Sequence, residues 1–133
     1  MIANRRTTAF PTASATETPI PPPPEKLGEA GRVAWQQIVP RLFNEGRATV
    51  LDLAALESLC RCYDDIAAAD AVLSDEGHYC ETQRGGRTAH PALIERSRQQ
   101  ELLRKYLVQF GLTPVSRKHI PEARHAGVAT RKR

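Results

Sequence analysis

The chain has 133 residues, which is enough for one domain with a modest hydrophobic core and too few for two full domains. Hydrophobic residues make up 41% and charged residues 26%, a composition that excludes a collagen and argues against disorder over the whole length. No run approaches the roughly 20 apolar residues of a membrane span. No apolar segment of the kind found in a secretory signal follows Arg5 and Arg6, so we expect a cytoplasmic protein without a membrane partner.

The net charge of +4 conceals an uneven distribution along the chain. Residues 27–83 carry four Arg against ten Asp and Glu, a net charge of −6. Residues 84–133 carry twelve Lys and Arg against three Glu, a net charge of +9. Such a chain can bind a polyanion with one end and repel it with the other, or pair head to tail with a copy of itself.

The composition divides the chain into three parts. Residues 1–24 hold six of the ten prolines and almost no large apolar side chains, which predicts a disordered arm ending in a short polyproline spacer. Residues 25–112 are expected to form the helical body that folds and oligomerises. Residues 113–133 are basic and poor in apolar residues, with prolines as breakers, so we expect an extended or disordered tail.

Three helices are predicted in the body from apolar residues that recur at three- and four-residue spacing. The first covers about residues 25–44, where Pro40 predicts a kink or an early stop. The second opens at a capping box in residues 49–52 and ends at Gly77. The third begins at Pro91, a favoured first position, and ends at Gly111.

Between the second and third helices, residues 77–91 alternate roughly around the turn Arg84-Gly85-Gly86-Arg87, which predicts a small β-hairpin or an ordered loop. The fold class is therefore mainly α, with a three-helix core and a small β-hairpin between the second and third helices. The predicted core consists of large apolar side chains from all three helices, namely Trp35, Val39, Leu42, Phe43, Leu56, Tyr63, Tyr106 and Phe110.

Thiols and an imidazole of the central region suggest a zinc site, since these are ligands that zinc prefers. The set is Cys60, Cys62, His78 and Cys80. Its spacing argues against zinc, because residues two apart on a helix point about 200° apart. Small thiols packed in the core are the alternative interpretation. Because of the spacing, we expect no metal and no cofactor. Three cysteines, an odd number, also cannot close a disulfide framework.

The sequence offers no catalytic constellation. It contains no GxxxxGK[ST] phosphate loop and no acidic cluster with the spacing of a nuclease metal site. We interpret Asp64, Asp65 and Asp70 as solvated residues of the second helix, and His90 as a turn histidine that bonds locally. No enzyme activity is expected.

Basic residues after position 83 are the candidate functional residues, because Arg on a glycine-rich tip and in a tail can reach phosphates. The alternative interpretation is a solvated charged surface. No helix-turn-helix can be identified, so we expect recognition of the DNA backbone or shape rather than of base sequence. The candidate DNA-binding residues are Arg84, Arg87, Arg117, Lys118, Arg124, Arg131, Lys132 and Arg133.

Several short motifs follow one another in a characteristic order over residues 21–118. After the proline-rich segment come Trp35, Pro40-Arg41-Leu42, Leu51-Asp52-Leu53-Ala54-Ala55-Leu56-Glu57, Arg84-Gly85-Gly86-Arg87 and His90-Pro91-Ala92-Leu93. The most specific string is Phe110-Gly111-Leu112-Thr113-Pro114-Val115-Ser116-Arg117. Together these motifs resemble the small subunit of tailed-phage terminases, in the branch with a GLTP.SR ending.

This resemblance implies a non-catalytic DNA-packaging factor of the host cytoplasm. It also implies assembly into a homo-oligomeric ring, binding of double-stranded viral DNA, and a large terminase subunit as partner, which carries the ATPase and nuclease. Two alternatives remain open at this point, a small zinc-binding module and a monomeric DNA-binding regulator. Metal analysis tests the first alternative and the native mass tests the second.

Overall fold

The computed structural model describes residues 19–119, and its elements confirm the predicted fold class. Within this part of the chain, no helix is long and apolar enough to cross a membrane. The predictions for residues 1–18 and 120–133 lie outside the described residues. The elements are α1 Glu29–Asn44, a single 3-10 turn Val50–Asp52, α2 Leu53–Glu76, β1 Tyr79–Glu81, β2 Arg87–Ala89, α3 Pro91–Gln109 and α4 Pro114–Arg117.

Helix α1 begins later than its apolar pattern predicts. The Leu27 N–H donates to the Pro24 carbonyl at 3.1 Å in a turn, and Gly28 is extended at the N-cap. Gly28 has no side chain to serve as a cap, so the orphan N–H groups of the first turn need another acceptor. Pro40 lies inside α1 without ending it, because the helix continues to Asn44.

The missing cap comes from Asp64 in the middle of α2. Its Oδ2 accepts the Gly28 N–H at 2.8 Å, and its Oδ1 accepts the Gly31 N–H at 2.7 Å. A carboxylate at a helix N-terminus is also favoured by the helix dipole. The interpretation of Asp64 as a solvated residue is therefore wrong, since this side chain joins two helices.

The hydrophobic core lies mainly between α1 and the first half of α2, and it confirms the predicted set. Trp35, Val39, Leu42 and Leu56 are buried, and Phe43, Tyr63, Tyr106 and Phe110 pack against them while remaining partly exposed. The burial of each large side chain contributes about 1.5–3 kcal/mol. The indole N–H of Trp35 donates to the Pro21 carbonyl at 3.1 Å, so the proline segment lies against this core.

Helices α2 and α3 pack antiparallel over most of their length. Arg96 of α3 pairs with Asp70 of α2 at 2.7 Å, and His90 contacts Glu76 at 2.7 Å. Helix α2 is about 36 Å long and α1 about 24 Å. Because Asp64 caps the start of α1, the rest of α2 extends beyond α1 and packs on α3. Residues 65–99 therefore form a helical extension with the β-hairpin at its tip.

The C-terminal part of the described chain is more ordered than predicted. Gly111 ends α3 with a positive φ of 66°, and its carbonyl accepts a hydrogen bond from Arg47 at 3.0 Å. Thr113 and Ser116 then form a capping box, in which each hydroxyl accepts the other residue's N–H at 3.2 Å. This box supports the helical turn α4 where an extended tail is expected from the sequence.

Candidate nucleic-acid interface

The tip of the β-hairpin presents Arg84 at its apex. The Gly85 N–H donates to the Thr82 carbonyl at 3.0 Å, and the Thr82 N–H donates to the Gly86 carbonyl at 2.7 Å. Gly85 has a φ of +81°, a left-handed conformation that side chains other than glycine rarely adopt. These contacts correspond to a three-residue loop with a left-handed closing residue, which supports a defined position for the Arg84 backbone.

Arg87 on β2 stacks on an exposed aromatic ring. Its guanidinium carbon lies 5.3 Å from the centroid of the Tyr79 ring, which is the geometry of a cation–π interaction. Tyr79 is opposite Ala89, and Glu81 is opposite Arg87, so Tyr79 and Arg87 are diagonal neighbours on one face. Tyr79 is 58% exposed, which makes it available to a ligand. The sequence analysis missed Tyr79, because its role depends on the strand register.

The base of the hairpin is held to both helices through His90. The His90 N–H donates to the His78 carbonyl at 2.9 Å, and the Ala92 N–H donates to the His90 Nδ1 at 3.0 Å. Because Nδ1 is an acceptor, the ring proton lies on Nε2, which faces a Glu76 carboxylate oxygen at 2.7 Å. His90 thus bonds locally, as predicted, and it also caps α3.

A second basic site, formed by Arg117 and Lys118, lies at the other end of α3. Both side chains are exposed, and Arg117 Nε donates to the Thr113 carbonyl at 3.4 Å. Helix α3 has 19 residues and spans about 28 Å, so this site is well separated from the hairpin. The structure does not bring the four described candidates together. The other four, Arg124, Arg131, Lys132 and Arg133, lie outside the described residues.

Ion pairs separate the basic residues of this half into two groups. Arg84, Arg87, Arg117 and Lys118 form no ion pair with any carboxylate of residues 19–119. Arg96 and Arg104, by contrast, are paired with Asp70 and Glu101. The hydrogen bond from Arg104 also lowers the pKa of Glu101. The four described candidates, together with Arg98 and Lys105 of α3, are therefore the described cations of this half that form no ion pair with a described carboxylate.

The suggested zinc ligands are not assembled into a site. Cys60 and Cys62 are buried within the helical body, whereas Cys80 lies half-buried on the hairpin. Burial raises the pKa of the Cys60 thiol to about 12, with smaller contributions from Asp64 and Cys62, and burial also raises the pKa of Cys62. No group of three His, Cys, Asp or Glu in the described part of the chain could hold a metal ion.

Comparison with known protein families identifies a match. The sequence profile of a family described as "Phage terminase, small subunit" matches residues 31–126, well over half of the chain. The matched segment includes α1 from its third residue, all of α2 and α3, the hairpin with Arg84 and Arg87, and α4. No curated protein and no solved structure matches the chain.

Proposed function

We propose that this chain, which belongs to the phage terminase small subunit family, forms a ring and binds double-stranded viral DNA when genome packaging begins. In this role it has no catalytic activity of its own and regulates a large terminase subunit that carries the ATPase and nuclease. The family match over residues 31–126 is the observation that carries the proposal. The geometry of the basic residues supports the DNA contacts, and the incomplete burial of α3 supports the ring.

The hairpin is the proposed principal DNA contact. It extends from the helical body, and every residue from Glu81 to Thr88 is exposed. Arg84 lies at the apex and Arg87 is positioned by Tyr79, so both guanidinium groups can approach phosphates. Arg is suited to this contact because its planar donors bind phosphate oxygens in pairs. Contacts of this kind position a protein on DNA without reading base sequence.

The salt dependence of DNA affinity tests this contact. Arg84→Ala combined with Arg87→Ala is expected to make the negative slope of log K against log salt shallower, by about 0.9 for each phosphate that the protein no longer neutralises. The matched control is Lys26→Ala with Arg32→Ala, which removes two exposed cations, one in the turn before α1 and one near the start of α1. Fluorescence anisotropy with a DNA duplex measures both slopes. Equal slopes for the two variants would mean that total charge, and not the hairpin, determines binding.

The contribution of the tail is tested separately by truncation after His119. This truncation removes Arg124, Arg131, Lys132 and Arg133 but retains α4 with its capping box. We expect weaker DNA binding and a shallower salt slope, with unchanged helix content by circular dichroism. An unchanged slope would eliminate the tail as a DNA contact. Arg117→Ala with Lys118→Ala tests the remaining site in the same assay.

Native mass spectrometry tests the ring, and an ATPase assay tests the regulation. A single closed species at a multiple of 14.7 kDa is expected for the ring. A monomer would instead favour the alternative of a monomeric DNA-binding regulator. Addition of the chain to its large terminase subunit with DNA is expected to change the ATPase rate, and an unchanged rate would contradict the regulatory role.

A further inference from the structure

The face of α3 that points away from α2 carries apolar side chains that the described residues leave uncovered. Ile94 is 49% exposed and Leu102 is 41% exposed, and α3 has no fully buried residue. Together with Ala89 they line an open groove of about 620 Å³, which we call the outer groove. Arg98 and Lys105 line the same groove and form no ion pair with a described carboxylate. The outer groove is therefore apolar and positively charged.

A second groove, on the α2 side of the helical extension, has the opposite charge. Its apolar residues are small, and Val72, the largest of them, is 38% exposed. Two carboxylates line it, and neither pairs with a described cation. We call it the acidic groove, and it is lined by Asp65, Ala68, Ala69, Val72, Ala92 and Glu95.

The two surfaces match in length as well as in charge. On α2, positions 65, 68, 72 and 75 alternate in steps of three and four residues, so they form one stripe about 15 Å long. On α3, positions 94, 98, 101 and 105 form a similar stripe about 16 Å long. Glu101 is neutralised by Arg104, which leaves a charge of +2 on the α3 stripe. Asp65 and Asp75 give the α2 stripe a charge of −2.

We propose that the outer groove of one copy binds the acidic groove and α2 stripe of a second copy. This inference rests on the proposed homo-oligomeric function and assigns the surfaces that would carry it. Contact between two outer grooves is disfavoured, because the α3 stripe of each copy carries a charge of +2. In a pair of copies, a contact between two different faces leaves one face of each kind free, so further copies can add. Such an assembly closes into a ring when the rotation between neighbouring copies permits closure.

Charge reversal on each side tests the interface. One variant carries Arg98→Glu and Lys105→Glu, and the other carries Asp65→Lys and Asp75→Lys. Either variant alone places like charges across every contact. Under conditions in which the natural chain assembles, each variant is therefore expected to have about the native mass of a monomer. When the two variants are mixed in equal amounts, every contact between one variant and the other joins faces of opposite charge. Assembly with the two variants in alternation is therefore expected to return.

A chain that carries all four substitutions separates a disrupted interface from a disrupted fold. It has opposite charges on its two faces again, so it is expected to assemble by itself, whereas misfolded variants would not regain assembly. The matched control is Lys26→Glu with Arg32→Glu, which changes the net charge as much as the α3 reversal does. This control is expected to keep the native mass of the natural chain.

The outcomes separate this interface from the proposed function. If the natural chain assembles and the α3 reversal assembles equally well, the assignment of the outer groove is overturned while the ring stands. If each reversal breaks the assembly but neither the mixture nor the fourfold variant restores it, the pairing of these two faces is overturned. A natural chain that is a monomer at all concentrations would overturn the ring and the interface together.

Discussion

Removal of the Asp64 carboxylate is expected to lower the free energy of unfolding, because this side chain joins α2 to the start of α1. Its carboxylate accepts the N–H groups of Gly28 and Gly31, which lie 36 and 33 residues away along the chain. The loss of an N-cap costs about 0.5–2 kcal/mol, and a hydrogen bond to a charged group contributes about 1.5–3 kcal/mol. Water can replace the acceptor at exposed Gly28 more easily than at part-buried Gly31.

These magnitudes give about 2–3 kcal/mol for Asp64→Ala, the sum of one nearly complete and one partly compensated loss. Asp64→Asn keeps one oxygen acceptor and loses the charge, so about 1 kcal/mol is expected. The assay is urea unfolding followed by circular dichroism, at one fixed protein concentration because assembly also affects stability.

Glu57→Ala is the matched control for Asp64. Glu57 is another acid of α2, and its only ion pair among the described residues is with Arg61, four residues further along the same helix. Such pairs contribute at most about 0.5 kcal/mol. If Asp64→Ala lies within that range of the natural chain, water satisfies both N–H groups as well as the carboxylate does, and the reasoning is refuted.

Three further predictions concern the same body. Gly31→Ala is expected to destabilise the fold by about 2 kcal/mol despite the better helix propensity of Ala. The added Cβ would lie 2.9 Å from the Cys60 carbonyl oxygen and closer still to Asp64. A variant that is stabilised in thermal unfolding would contradict this. Because burial raises the pKa of the Cys60 thiol from 9.0 to about 12, the free energy of unfolding is expected to fall as pH rises above 9, by about 1 kcal/mol per pH unit from this group. Urea midpoints between pH 8 and pH 10 measure that fall, and an equally steep fall in Cys60→Ala would exclude Cys60 as its source. His90→Ala is expected to lower the free energy of unfolding by about 1 kcal/mol, because it removes the cap of α3. His90→Asn is expected to lower it clearly less, because Asn is a good N-cap. Equal shifts of the unfolding temperature for the two variants would show that the cap does not matter.

The second and third helices are predictable because their ends are encoded by neighbouring residues. The capping box of Thr49 and Asp52 precedes α2, and Gly77 follows it with a φ of 84°. Pro91 occupies the first position of α3. In each of these cases a residue acts on backbone groups within four positions, which a linear sequence displays directly.

The start of α1 and the existence of α4 are not predicted, for two different reasons. The cap of α1 is Asp64, more than 30 residues away, and no local pattern contains that information. The signal for α4 is local, since Thr113 and Ser116 stand three residues apart with Pro114 between them. The interpretation of Pro114 as a breaker is wrong, because proline is also favoured at the first position of a helix.

The sequence predicts which residues form part of the candidate site, but not how they are arranged in space. The sequence identifies Arg84 and Arg87 through the glycine-rich turn, and the structure places them at an exposed tip. The sequence could not show that about 28 Å of α3 separates them from Arg117 and Lys118. Nor could it identify Tyr79, whose contact with Arg87 depends on the pairing of the two strands.

The antiparallel packing of α2 and α3 determines which of the unevenly distributed charges pair with one another and which face outward. Part of it is used internally, because Asp70 and Glu76 contact Arg96 and His90 across the helical extension. The rest remains on outward faces, where Arg84 and Arg87 lie on the hairpin and Arg98 and Lys105 line the outer groove. Salt weakens both DNA binding and contact between unlike faces. A salt series on DNA affinity therefore isolates the hairpin only where the native mass stays constant, and Arg84→Ala with Arg87→Ala is expected to change the slope without changing that mass.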